Sequence, residues 1–129
     1  MTPDVVASIA KQRGFTKQGR TNFVRDVNDV IQLVNVQKSN FSDSWYINFA
    51  LWPKVFGAPD RVAEHLFPLR GRIENVLDLS EDASAGDLDH FFDVIGERFS
   101  SLESLRSCLS RGVLSGMYVK ADLKALLAR

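Results

Sequence analysis

This 129-residue chain has only one cysteine, two histidines and two methionines. A lone thiol, Cys108, builds no internal disulfide framework, and with two histidines it makes no thiolate zinc pattern. Neither sign of charge is in excess: 16 Lys and Arg balance 16 Asp and Glu, so bulk charge selects no polyanionic partner. No apolar run approaches the roughly 20 residues of a membrane-spanning helix. Met1-Thr2-Pro3-Asp4 offers neither a basic stretch nor a long apolar one, so no signal peptide is expected. A Gly-rich phosphate loop, a Gly-x-Ser-x-Gly elbow and paired metal motifs are all missing. No cofactor, metal or membrane contact is expected, and a reducing, cytoplasmic location fits the cysteine usage.

What is present suits a folded domain. Hydrophobic residues make up 45% and charged residues 25%, which is the globular norm. The length suffices to bury a core, and residues 1–129 read as one domain. Charge is balanced overall but not along the chain. Lys11, Arg13, Lys17, Arg20 and Arg25 follow one another without an acid. Glu74, Asp78, Glu81, Asp82, Asp87, Asp89, Asp93 and Glu97 follow without a Lys or Arg. Such segments either attract each other as solvated surfaces or leave a basic face for an acidic partner.

Thr2, Pro3 and Asp4 carry the signals of a helix start. Val5, Val6, Ile9 and Ala10 form its apolar face, and Gly14 ends it, with Phe15 folding back on Ile9 and Ala10. Three strands are expected next: Asn22–Asp26, Val30–Lys38 and Trp45–Trp52, the last stopped by Pro53. The second is dense in β-branched residues. Alternation puts Val30, Val34 and Val36 on one face, and Trp45, Ile47, Phe49 and Leu51 on the matching face of the next strand. Pairing Val36 with Ile47 and Val34 with Phe49 joins these sets and closes a four-residue loop, whereas a one-residue slip would oppose apolar to polar. The same register sets Asn35 opposite Asn48 and Gln37 opposite Tyr46 on the reverse face, beside Ile31, Leu33, Ala50 and Trp52.

Pro59–Leu66 reads as a short helix, and Leu69–Leu79 as one more strand. Leu88, Phe91, Phe92, Ile95 and Phe99 follow helical spacing. Ser100 with Glu103 has capping-box form, ahead of a helix through Leu102, Leu105 and Leu109 that Gly112 ends. Leu123, Leu126 and Leu127 belong to a last helix. Strands followed by helices imply an α+β fold: an antiparallel sheet of three to four strands with an N-terminal helix and C-terminal helices packed on one face.

The block Gly14-Phe15-Thr16-Lys17, Phe23 and Val36-Gln37-Lys38-Ser39 resembles the bacterial domain of unknown function 4304 (DUF4304-like) family. That family is similar in its N-terminal helix, Gly-Phe-x-Lys turn, short aromatic strand and Gln-Lys-Ser motif. Trp45-Tyr46-Ile47-Asn48-Phe49 resembles its Phe-x-Ile-Asn strand, and His65 with Arg70-Gly71-Arg72-Ile73 its His and Arg-Ile segment. Where members often carry a Trp-Trp pair, this chain has Val76-Leu77-Asp78-Leu79. The resemblance implies a small bacterial cytoplasmic α+β domain without an assigned activity.

The candidate binding residues are Asn35, Gln37, Lys38, Tyr46, Asn48, Trp52, Arg70 and Arg72; no catalytic residue is assigned. Amides on an open sheet face either recognise peptide edges or bases, or satisfy one another. Tyr46 and Trp52 offer stacking area. Arg70 and Arg72 share a parity, so in a strand they form a carboxylate or anion clamp, unless the acidic 74–97 segment pairs with them. His65, His90 and Cys108 read as structural or surface residues. The function expected is a non-enzymatic protein-binding module of immunity or accessory type. One alternative is an enzyme with a polar site around Gln37, Lys38, Asn48, His65 and Arg72. Another is nucleic-acid binding through the basic 11–25 segment.

Overall fold

The computed structural model describes residues 2–79 and 83–129. The opening helix α1, Pro3–Gln12, buries Val6, Ile9 and Ala10. It closes as its sequence predicts. Gly14 takes φ 84°, its N–H donates to Lys11 O, and the Phe15 N–H donates back to Ala10 O at 2.9 Å. This is the left-handed glycine cap that satisfies a helix's last carbonyls.

An antiparallel meander follows: β1 Thr16–Gln18, β2 Asn22–Val27, β3 Val30–Lys38, β4 Trp45–Pro53 and β5 Leu69–Arg72. Then come α2 Ala85–Arg98, α3 Leu102–Ser110, the short β6 Tyr118–Val119 and α4 Ala121–Leu127. Strand order in the sheet is β1-β2-β3-β4-β5-β6. The α+β class and the helix placement are as expected, but the sheet has six strands among the described residues, not three to four. The additions lack any hydrophobic pattern. Every residue of β1 is exposed, and β6 has two residues, held by pairing Leu69 with Val119 and Arg70 with Tyr118.

The central register is the one alternation dictates. Val34 faces Phe49, Val36 faces Ile47, Asn35 faces Asn48 and Gln37 faces Tyr46. The Ser39 N–H donates to Ser44 O at 2.9 Å, closing the loop. Val34 and Phe49 are buried in the main core with Leu88, Phe91, Ile95, Phe99, Leu105 and Leu123 from the helices. Phe49 meets the rings of Phe91 and Phe99 at 5.8 and 5.3 Å, contacts that add about 0.5–1.5 kcal/mol each beyond area burial.

Other expectations shift. Leu69–Leu79 is strand only to Arg72, after which Ile73–Asn75 turns as a 3-10 helix; the Asn75 side chain, accepting the Arg72 N–H, caps that turn. Pro59–Leu66 is not a helix but holds one 3-10 turn, Glu64–Leu66. The α3 capping box belongs to Ser101 and Ser104, not Ser100 and Glu103. Gly112 does end α3, at φ 72°. No helix among the described residues is long and apolar enough to cross a membrane.

The connection from β4 to β5 has a further role. It folds over the apolar end of the reverse sheet face, where Phe67 and Val62 join Val24, Ile31, Leu33, Ala50 and Trp52 in a second core cluster. Helices roof one side of the sheet, this connection roofs half of the other, and the remaining half stays open.

Candidate functional site

The reverse face is built from cross-strand rows. One row runs Asn22, Asn35, Asn48, Arg72 across β2 to β5. The next runs Val24, Leu33, Ala50, Arg70, Tyr118 across β2 to β6. Gln37 and Tyr46 form a third. Side chains in such rows stand close enough to interact directly. At the β4–β5–β6 end they border an open cleft of about 500 Å³, lined by Gln37, Asn48, Glu64, Arg70, Gly71, Arg72, Asn75, Gly116 and Tyr118.

The two arginines dominate its chemistry. The Arg70 guanidinium lies 4.1 Å from the Tyr118 ring centroid, and that of Arg72 lies 4.4 Å from Tyr46. A stacked guanidinium uses its face for the ring and keeps its in-plane N–H groups for an acceptor. Neither arginine forms an ion pair with a described residue. The expected pairing with the acidic 74–97 segment is not found among its described acids; Glu81 and Asp82 lie outside the described residues. Asp89 and Asp93 of that segment instead hold Arg13. Arg70 Nε is the one buried side-chain polar atom among the described residues without a hydrogen-bond partner.

Asn75 fixes the cleft wall. Its Oδ1 accepts the Arg72 N–H at 2.7 Å, and its Nδ2 donates to Gly116 O at 3.3 Å. The side chain thereby ties the end of β5 to the turn that leads into β6.

The amides behave differently from the arginines. Asn35 Nδ2 donates to Asn22 Oδ1 at 2.7 Å. Asn48 Nδ2 donates to Asn35 Oδ1 at 3.2 Å and to Gln37 Oε1 at 3.1 Å. Asn35 and Asn48 are therefore occupied with each other and with their neighbours, and of the amides proposed from sequence Gln37 alone is exposed in the cleft.

Of the eight residues proposed from sequence, the fold gathers Gln37, Asn48, Arg70 and Arg72 around the cleft, with Tyr46 stacked on Arg72. Asn35 stands behind them in the amide row. Lys38 has the opposite parity; it lies 5.4 Å from the Trp45 ring and 3.9 Å from Asp43. Trp52 belongs to the roofed half, where Nε1 donates to Gly57 O at 2.7 Å and the ring packs on Phe67. His65 is exposed beside Arg61 and does not line the cleft. The five residues of the enzyme alternative thus do not converge. Glu64, Asn75, Gly116 and Tyr118 were not foreseen. A glycine two residues ahead of the Tyr118-Val119 pair is the available signal, and it does not say which strand that pair joins.

The basic 11–25 segment is partly consumed internally. Arg13 pairs with Asp89 and Asp93. Arg25 is half-buried over the Phe15 ring, and burial, with Arg13 nearby, draws its pKa below the ordinary guanidinium value. Lys11, Lys17 and Arg20 remain exposed.

A family model described as a domain of unknown function, DUF4304, matches residues 6–105. No curated protein and no solved structure matches the chain.

Proposed function

The chain belongs to the DUF4304 family, and we propose that it works as a non-enzymatic protein-binding module, docking its partner on the open half of the reverse sheet face. One observation carries this reading: Arg70 and Arg72 stand in an open cleft, stacked on Tyr118 and Tyr46, and neither forms an ion pair with an acid of the described residues. Tyr and Arg are the side chains that interfaces favour, because they bring rigid area and planar donors at small entropic cost. The scatter of Gln37, Lys38, Asn48, His65 and Arg72 argues against a catalytic reading, since general acid–base work needs its groups within hydrogen-bond reach of one reacting atom. The internal pairing of Arg13 and the burial of Arg25 leave the nucleic-acid alternative a thinner basic surface.

A photo-crosslinking amino acid placed at Gln37, in cells of the source organism, tests the reading. The expected result is an adduct with one protein, absent when the crosslinker sits at Glu103 on the helical side and lost when Arg70 and Arg72 are both replaced by Ala. No adduct at position 37, or the same adducts from both positions, would refute it.

A further inference from the structure

Resting on the docking reading above, we propose that the cleft is a carboxylate receptor, in which the Arg70 and Arg72 forks clamp a carboxylate carried by the partner, either its chain end or an Asp or Glu side chain. Three features select this chemistry. The two arginines project from the same face of β5, their Cα atoms about 6–7 Å apart along the strand, and their guanidinium groups flank that strand, one over Tyr118 of β6 and one over Tyr46 of β4. Each is held by a tyrosine ring beneath it, so the planar fork is already oriented for in-plane pairing with two oxygens. Arg70 also has an unmet donor, its buried Nε–H, a group whose hydrogen-bonding capacity no described residue uses.

The rest of the lining favours a monoanion over a phosphate group. Glu64 borders the cleft, and its charge opposes a dianion more than a carboxylate. Among the described residues no α-helix N-terminus lines the cleft to supply the run of backbone N–H groups that phosphate sites use. Gln37 offers an amide beside the arginines, suited to the peptide group that accompanies a carboxylate.

The test is a titration of the full chain, read from the Arg Nε–Hε signals in 15N correlation spectra. The probes are N-acetylglycine for a chain end, N-acetylglutamate α-amide for a side chain, N-acetylglutamine amide as the neutral isostere, and inorganic phosphate. Saturable shifts at Arg70 and Arg72 are expected with at least one carboxylate and not with the isostere; the tighter of the two carboxylates identifies the source. Arg70→Lys and Arg72→Lys, each retaining a folded spectrum, should weaken binding about tenfold, because lysine keeps the charge but loses the fork. Absence of saturable shifts with either carboxylate, equal shifts with the isostere, or tighter binding of phosphate would overturn the proposal. If the position-37 crosslinker captures a partner while the Nε signals stay still, docking stands and the carboxylate claim falls. If carboxylates bind but the crosslinker captures no partner, the receptor stands and the docking of a protein falls.

Discussion

Gln32 Oε1 accepts two hydrogen bonds from Arg25, from Nη2 at 2.7 Å and from Nε at 3.1 Å, on the helical side of the sheet. The Gln32 amide then donates to Phe99 O at 2.9 Å and Ile95 O at 3.3 Å, carbonyls at the C-terminal end of α2. Arg25 Nη1 donates to Arg13 O at the end of α1. One pair of side chains therefore closes two helix ends, supplying donors to the Phe99 and Arg13 carbonyls that lie past the intrahelical ladders.

Replacing Gln32 by Leu should be costly despite the apolar surroundings. The guanidinium of Arg25 would lose its side-chain acceptor and the Phe99 carbonyl its donor. A buried polar group left unmet costs about 1–3 kcal/mol, so a total loss of about 2–4 kcal/mol is expected in urea denaturation. A double-mutant cycle with Arg25→Met should show strong coupling, since the second change removes the group orphaned by the first. Additive effects would show that the pair does not act as a unit.

Gly71 should resist even one added carbon. It faces Phe49 across the sheet, and a Cβ there would lie 2.8 Å from Phe49 Cζ and 3.0 Å from Cε1. Both flanks are fixed: Phe49 is wedged between Phe91 and Phe99, and β5 is tied down by Asn75. Gly71→Ala should cost about 1–3 kcal/mol by overpacking. Its penalty should shrink in a Phe49→Leu background, again read by chemical denaturation.

The hairpin of β3 and β4 and the glycine stops after α1 and α3 could be read in advance, because each rests on local rules: alternation of side chains, turn length and the αL tolerance of glycine. What escaped depended on partners far along the chain. Gln32 falls in the apolar parity of β3, and its partners at Ile95 and Phe99 come from a helix whose docking no local pattern reports. The shared side of Arg70 and Arg72 followed from parity alone, yet Tyr118, on which Arg70 stacks, lies in a strand too short to show alternation. The amides illustrate the limit best. Sequence places Asn35 and Asn48 opposite each other, but whether they pair or stay free depends on rotamers.

Acid should weaken α2 at its start. Asp87 completes the capping box of Ser84, accepting the Ser84 N–H at 2.9 Å. That backbone hydrogen bond, and then the Ser84 side chain, hold the Asp87 carboxyl below its ordinary value of 3.8. A carboxylate depressed by folding stabilises fully above its unfolded pKa, and the benefit disappears as pH falls through the folded value. The stability difference between the native chain and Asp87→Asn should therefore be constant from neutral pH to about pH 5 and narrow below about pH 4. Denaturation curves at pH 7 and pH 3 measure it. A difference that grows on acidification would contradict this assignment.

The tyrosines beneath the arginines should matter for binding more than for folding. Tyr46 is half-buried, and its ring lies under Arg72. Tyr46→Leu keeps an apolar side chain in the row and leaves both positive charges in place, but removes the surface that keeps the Arg72 fork oriented. A stacked cation at a solvent-exposed site gains about 0.5–1 kcal/mol, so carboxylate affinity should fall about two- to fivefold while the urea midpoint moves little. Glu64→Gln should act in the opposite direction, because it removes a negative charge from the cleft lining, and the gain should diminish as salt is added. Measured together by the same Nε titration, the two variants separate orientation from charge. If both leave carboxylate affinity unchanged, the cleft lining has no part in recognition and the two arginines bind, if at all, as isolated surface charges.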